Sequence, residues 1–548
     1  MEHLSYKRKI TIMIAIIAAM FFSAINQTIV GTALPRIIAK LGGMDYYTWV
    51  ITIYLLTSTI ATVLVGKLSD IYGRKPFILT GIVLFMIGAF MAGTSGDIFQ
   101  LITYRGVQGV GAGIIMATAF TAVGDLFAPR ERGKWSGIMM SVFGFASVVG
   151  PALGGYIVDH MEWHWVFWIF LPLGIVAFIM ILTMFPKVER KPSESIDYFG
   201  SLFLTLTIVP MLLAFSWAGT KYAWGSSQIV GLFACTLVAL VIFIWVESRV
   251  KSPVLPLSLF KNGIVTISNV IGFIMNAGMM GALMYTPFFV QGVMGISPTY
   301  SGYVTMPMSI GMVATSAISG QLITKTGKYK RIAIIGIIIM VIGMMIMHYM
   351  NTISVTVLSM IVFGFGLGLG MPVFSLTVQN AVSPKDLGVA TASSQLFRNL
   401  GGTIGIAVMG TIMSTGMTNK LQEILASGRG VDLSKLDPKV AEKLAAFHNP
   451  QMLLDQPKLA QIQATLPPEL QTVFGRMIDS LREALSYSLA NVFLAGAALL
   501  VVALVLTFFL KEIPLRTGSG GQGPKPQEAA ETDREPSPRL RGKQPANG

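Results

Sequence analysis

Gly66-Lys-Leu-Ser-Asp70-Ile-Tyr-Gly73-Arg74-Lys75 is a charged, glycine-punctuated turn between two long apolar runs. A helix that crosses a bilayer needs about 20 mostly apolar residues, and the flanking runs near 48–66 and 76–95 each supply that length. The turn therefore joins two membrane-spanning helices. Its lysines and arginine assign it to one side of the membrane, because short cytoplasmic connections collect positive charge. Asp70 lies near the end of the first helix and Arg74 near the start of the second, where a carboxylate meets the positive end of a helix dipole.

Reading outward, further spans are predicted near 10–32, 99–124, 135–158 and 165–185, then 198–218 and 227–246. Six more follow near 265–289, 301–323, 332–350, 353–376, 388–415 and 487–510. The fold class is thus all-α and polytopic, with fourteen transmembrane helices arranged six, two, six. With the N-terminus inside, the short inner connections carry Lys67, Arg74, Lys75, Arg130, Arg132, Lys134, Lys187, Arg190, Lys191, Arg249, Lys251, Lys261, Lys325, Lys328, Lys330, Arg331 and Lys385. The short outer ones carry Arg36, Lys40 and Lys221. That bias puts both termini in the cytoplasm. It also assigns the net charge of +14 to the inner membrane surface rather than to nucleic acid.

Composition agrees. Among 548 residues 53% are hydrophobic and 12% charged, with a mean hydropathy of +0.67. A soluble domain carries about twice that share of charge. The single cysteine, Cys235, excludes an intramolecular disulfide, and five scattered histidines suggest no metal site. With no nucleophile elbow, phosphate loop or dinucleotide fingerprint, neither an enzyme nor a cofactor is expected. The domain reading is a six-helix bundle over 1–190, a two-helix insertion over 191–250, and five further helices over 251–415. An outer loop over 416–486, a last helix over 487–512 and a disordered tail over 513–548 complete it. In the loop, Asp437-Pro438 reads as a helix start. Leu470, Phe474, Met477, Ile478, Leu481 and Leu485 share one helical face. The expectation is an amphipathic hairpin on the outer membrane surface, with a lid over the exit path as the alternative.

Four intramembrane stretches carry chemistry. In the fourth span, Arg105 is followed one turn later by Gln108, with Gly109 and Gly113. An arginine at mid-membrane costs about 2.5–3.5 kcal/mol, so it faces a polar cavity unless it reaches an interface. In the fifth span, Gly150-Pro151-Ala-Leu-Gly154-Gly155 combines a helix-bending proline with the small-residue face Ala146, Gly150, Gly154. Next come Trp163-His164-Trp165 and Phe170, where His164 either titrates or caps a helix at the outer interface. In the thirteenth span, Gln395-Leu-Phe-Arg398-Asn399-Leu-Gly401-Gly402-Thr-Ile-Gly405 sets a second arginine before a small-residue face. Its two readings are a cavity cation and a snorkelling side chain.

In this order the motifs resemble the fourteen-helix drug:proton antiporter branch of the major facilitator superfamily, over roughly 1–415 plus the last helix. The resemblance implies two bundles that alternate access to a central site, and export of small amphipathic molecules. It makes Gly66, Asp70, Gly73 and Arg74 a conformational latch, Arg105 a proton-transfer or charge-stabilising residue, and Gly150, Pro151, Gly154 and Gly155 the antiporter motif. The family usually has glycine where Ala146 stands, and Arg and Asn at His164 and Phe170. The matching second-half loop, Gly320 to Lys328, keeps its glycines but has Thr324 in place of the acid.

One departure matters more. The family usually carries aspartate where this chain has Asn26, and none of the 26 acids falls deep in a predicted span. Asparagine cannot carry a proton. Asp125, Asp159 or His164 then takes that role, or the driving force or substrate differs, or the position was changed to trap one state. Candidate cavity contacts are Asn26, Gln27, Arg105, Gln108, Asn269, Asn276, Tyr285, Gln395 and Arg398. Expected partners are amphipathic molecules or lipids, protons and the bilayer, with the chain monomeric in the cell membrane. The rival functions are export or flipping of a lipid or amphipathic anion, and a non-transporting receptor or scaffold.

Overall fold

A computed structural model describes residues 4–41, 47–186, 197–219, 222–250, 253–296, 298–383, 386–429 and 467–514, with single positions between 453 and 464. Among the described residues fourteen helices are long and apolar enough to cross a membrane, the number expected from the sequence. They are α1 (Tyr6–Leu41), α2 (Tyr47–Tyr72), α3 (Arg74–Gly93), α4 (Ile98–Leu126), α5 (Pro129–His160), α6 (Leu171–Met184, whose membrane span Trp165–Met184 includes the short helix before it) and α7 (Tyr198–Trp217). The rest are α8 (Ser227–Glu247), α9 (Gly263–Phe288), α10 (Pro298–Thr326), α11 (Tyr329–His348), α12 (Ile353–Ala381), α13 (Leu387–Ala426) and α14 (Pro468–Phe509). Short helices Trp165–Trp168 and Ser258–Lys261 lead into α6 and α9.

Local sequence sets the boundaries. The Asp97 carboxylate accepts the backbone N–H groups of Phe99 and Gln100 at 2.8 and 2.9 Å and so caps α4. Gly73, at φ 89°, reverses the chain between α2 and α3 in a single residue. Gly327, at φ 69°, does the same between α10 and α11.

That correspondence runs through the packing. In the first six helices α3 and α2 pack on α4, α5 and α6 on α1, and α6 on α3. The last six repeat this: α11 and α10 pack on α12, α13 and α14 on α9, and α14 on α11. Equivalent glycines allow equivalent close approaches. A Cβ on Gly88 would lie 2.6 Å from the Gln108 nitrogen of α4, and one on Gly343 2.8 Å from the Phe363 backbone of α12. Without a hydrophobic drive between helices in lipid, such contact is what holds the bundles together.

Two seams join the halves and are themselves a symmetric pair, α5 on α10 and α2 on α13. Along the first, Ser141 Oγ donates to the Val313 carbonyl at 3.3 Å. Along the second, Asn399 Nδ2 donates to Thr59 Oγ1 at 3.2 Å. The inserted helices α7 and α8 pack mainly on each other, and α7 lies along the outside of the α2–α13 seam. The outer surface of α8, with Leu237, Val238 and Val241, is exposed and suited to lipid, as is Cys235.

The region after 415 departs from expectation. Helix α13 continues to Ala426 and α14 already begins at Pro468, giving 40 and 42 residues. At about 1.5 Å per residue each reaches about 60 Å, roughly twice the hydrocarbon thickness. The apolar face expected on the membrane surface instead belongs to this extension of α14. Phe474, Met477, Ile478, Leu481 and Leu485 are buried in one cluster with Met417 and Ile424 of α13. An arm of the protein itself, rather than lipid, covers that face. The helix start expected at Asp437-Pro438 lies outside the described residues. At the other end of α14 the first residues of the expected disordered tail are fastened. The Ile513 N–H donates to Tyr329 Oη at 2.8 Å, and Asn380 reaches the carbonyls of Ile513 and Pro514.

Truncating a buried core leucine costs about 2–5 kcal/mol. Leu481→Ala should therefore lower the unfolding temperature of the detergent-solubilised protein by several degrees. A side chain resting on a membrane surface would leave that temperature unchanged in detergent.

Candidate functional site

The loop between α2 and α3 builds a charged cluster at the seam. The Arg74 guanidinium pairs with Asp70 on one side and, through Nε at 3.0 Å, with Asp125 of α4 on the other. Its Nη1 also donates to Ser69 Oγ at 2.6 Å. Asp70 then crosses to the other half, where its Oδ2 accepts the Val389 backbone N–H at 3.1 Å. Val389 lies in the first turn of α13, so the carboxylate meets both an unsatisfied donor and the positive end of that helix. Glycine makes the approach possible. A Cβ on Gly388 would collide with the Asp70 carboxylate, and one on Gly66 would collide with Ala392. Asp125, a candidate proton site from the sequence, is thus the third member of this ion cluster.

A second cluster lies within the first bundle. Arg105 is 1% exposed, with Asn26 and Gln108 fully buried beside it. Arg105 Nη1 donates to Gln108 Oε1 at 2.6 Å and more weakly to Asn26 Oδ1 at 3.4 Å. Gln108 Nε2 closes the triangle on Asn26 Oδ1 at 2.8 Å. The guanidinium carbon sits 4.2 Å from the Tyr54 ring centroid, and Tyr54 Oη is 3.3 Å from Ser23 Oγ. Amide oxygens and a ring face thus hold this charge, with no carboxylate paired to it among the described residues. Asn26 Nδ2 has no partner there. The i, i+3 pairing of Arg105 with Gln108 was readable from spacing; Tyr54 and Ser23 carried no signal that sequence reasoning used.

The other bundle holds its own cation. Arg398 is buried, so it does not snorkel to an interface. Its Nη1 donates to Ser375 Oγ at 2.7 Å, and its guanidinium lies 5.8 Å from the Phe120 ring of the opposite half. Asn276 Nδ2 donates to the Arg398 carbonyl at 2.7 Å, and Tyr285 Oη to the Ile406 carbonyl at 2.8 Å. Asn269 bonds Ser393 at 3.2 Å and Ser394 at 2.6 Å. These three residues staple α9 to α13, where Gly405 packs on Ala277 at 2.6 Å from a placed Cβ. Gln27 and Gln395 are half-buried.

In the Gly150 motif, a Cβ on Gly150 would strike Thr28 of α1, whose Oγ1 donates to the Ala146 carbonyl at 2.9 Å. Gly154 is buried, whereas the side-chain positions of Pro151, Gly155 and Asp159 lie outside the described residues. His164 Nδ1 lies 2.5 Å from the Gly93 carbonyl that ends α3, with its ring beside Trp163 and Trp168. Nearby, Lys40 pairs with Glu162 at 2.7 Å and holds that exposed carboxyl below its usual range.

Two matched bundles, a charged cluster between α2 and α3, and a glycine seam on α5 now stand together. A family model described as Major Facilitator Superfamily matches residues 16–406. The chain belongs to the major facilitator superfamily. Multidrug transporter protein MdtP of Bacillus subtilis (strain 168) is 38% identical over 530 residues, 95% of this chain and 96% of its own length. Multidrug resistance protein 3 of the same organism is 31% identical over 509 residues, 92% and 96% of the two chains. Among solved structures, the human organic anion transporter MFSD10 (TETRAN) superposes with a TM-score of 0.57 at 14% identity, covering 90% of this chain and 99% of that one. The proton:xylose symporter XylE gives 0.57 at 12% identity, covering 93% and 97%. At those identities the two structures establish the fold alone. The family is one of transporters rather than enzymes, and the chain is a multi-pass membrane protein.

Enlarging Gly388 tests the seam. In a Cys235→Ser background with Asn399→Cys as reporter, Gly388→Val should raise labelling by an impermeant maleimide from the Asp70 side several-fold. Unchanged labelling would show that close packing at Gly388 does not hold the seam.

Proposed function

We propose that this chain exports amphipathic, drug-like compounds across the cell membrane by alternating access. The arrangement described is its state closed on the cytoplasmic side. The observation that carries this reading is the Asp70 contact, which ties the loop of one half to the first turn of α13 in the other. Such a tie serves a protein whose halves separate there and rejoin. Positive charge along the Asp70 face supports a cytoplasmic assignment for it and for both termini. The names of the two Bacillus relatives support drugs as the substrate class. In the opposite state the latch opens and the central site, with Asn26, Gln27, Arg105, Gln108 and Gln395, becomes accessible from the cytoplasm.

Proton antiport is the coupling we favour, with the carrier at a position other than Asn26. Two of the alternatives are otherwise engaged: Asp125 with Arg74, and His164 at the end of α3. A second reading is favoured by a specific observation. Arg105 and Arg398 are both buried with no carboxylate paired to them among the described residues. Buried unpaired charge is expensive, so an anionic or lipid-like substrate would gain most from these two sites.

Two experiments in proteoliposomes separate these ideas. Asp70→Asn removes a charge-assisted contact worth about 1.5–3 kcal/mol, and should slow efflux of a cationic dye about tenfold or more at equal reconstitution. An unaltered rate would contradict the latch. Asn26→Asp places a carboxylate against Arg105 and Gln108, and should increase dye-driven proton flux. Unchanged flux would show that position 26 does not couple transport. Movement of anionic lipid without dye efflux in the unmodified protein would favour the second reading.

A further inference from the structure

The inserted helices contain two acids that neither the latch nor the central cluster uses. Asp197 caps the start of α7 and Glu247 ends α8, and they are 7% and 4% exposed. Each carboxylate is engaged by backbone N–H groups, Glu247 by those of Leu255 and Val254. Gly200 donates to Asp197 Oδ1 at 2.7 Å, and Leu255 to Glu247 Oε1 at 3.3 Å. The other oxygens, Asp197 Oδ2 and Glu247 Oε2, are buried with no hydrogen-bond partner among the described residues. Both carboxylates border the space left by the missing side chain of Gly200. A Cβ there would strike Asp197 Oδ2 and lie 2.8 Å from Glu247 Oε1. Lys67 of α2 is the cation within electrostatic reach of Glu247, and Asp197 is the anion. Arg249, two residues beyond Glu247, stacks instead on the Trp245 ring at 4.5 Å.

We propose that Asp197 and Glu247 form a proton-binding site, in which the two neighbouring carboxylates share one proton. Two ionised carboxylates in a shared buried space repel, whereas one proton removes a charge and turns a free oxygen into a hydrogen-bond donor. The remaining negative charge faces Lys67, so the loaded site is neutral overall. A divalent cation fits poorly. Calcium and magnesium take six or more oxygen ligands, the other close polar groups here are N–H donors, and no group of three metal-ligating side chains occurs among the described residues. The position gives the site a consequence, because Lys67 lies three residues before Asp70 in the gate loop. Release of the proton leaves a second negative charge in front of Lys67. The ends of α7 and α8 then part while Lys67 is drawn toward them, which biases the loop that carries the latch. Proton binding at this pair does not depend on the direction or substrate of transport.

The test is infrared spectroscopy of the full-length protein in lipid, scanned in pH. At pH 7 a carbonyl band of a protonated carboxylic acid should be present, fade as pH rises, and be absent from both Asp197→Asn and Glu247→Gln. Two variants keep both acids and guard against misfolding. Lys67→Met should move the midpoint up by about one pH unit, since a nearby cation favours the ionised form. Gly200→Ala, which wedges a methyl between the carboxylates, should move it down. A spectrum at pH 7 with no acid band that either acid variant removes would overturn the proposal. Loss of the band on adding magnesium or sodium at constant pH would overturn it in favour of a metal site. A midpoint unmoved by Lys67→Met would overturn the link to the gate.

Discussion

A carboxylate placed at the first turn of a helix in the opposite half is the contact on which this molecule turns. Asp70 reaches Val389 only because Gly66 and Gly388 clear the way, and Arg74 pairs with it and with Asp125 at once. Removing Arg74 would leave two carboxylates facing each other, and breaking a buried pair costs about 3–5 kcal/mol. The second half repeats the fold of this loop but not its charge. Thr324 stands where the acid would be and donates to the Gly320 carbonyl at 2.8 Å. The symmetric scaffold therefore carries an asymmetric lock, present at α2–α13 and replaced at α5–α10 by small-residue packing such as Gly137 on Ser316.

Behind the lock lie two buried guanidinium groups, one in each bundle, held by amides, hydroxyls and ring faces. This arrangement follows from Asn26. An aspartate there would neutralise Arg105, whereas asparagine leaves the charge intact and its own Nδ2 without a partner. The cluster around Asn26 is thus cationic, and four acids gather near the Asp70 end: Asp70 with a buried side chain and the half-buried Asp125 around Arg74, and the buried Asp197 and Glu247 in the insertion.

The fold was readable because membrane helices obey two strong constraints, length and hydropathy, and all fourteen satisfied both. The latch was readable because charge in a short loop between apolar runs is rare. Contacts that join distant segments were not. Asn26 meets Gln108 across 82 positions, and nothing local marks Asp125 as the partner of Arg74. Asp197 and Glu247 read as ordinary helix-end acids until α7 and α8 are paired. The extension of α13 and α14 was missed because polar residues from 416 onward resemble a loop, while the apolar face from Leu470 to Leu485 suits a membrane surface as well as a neighbouring helix. Periodicity reveals that a face is buried but not against what.

The most direct measurement is the distance between the two halves at the Asp70 face. Spin labels at Lys134→Cys on α5 and Lys328→Cys beside α11, in a Cys235→Ser background, sit at exposed positions on opposite sides of a seam. Pulsed dipolar spectroscopy of the reconstituted protein should give a short, narrow distribution that shifts to longer distances with Asp70→Asn. The same short distribution in both proteins would contradict a gate held by that carboxylate.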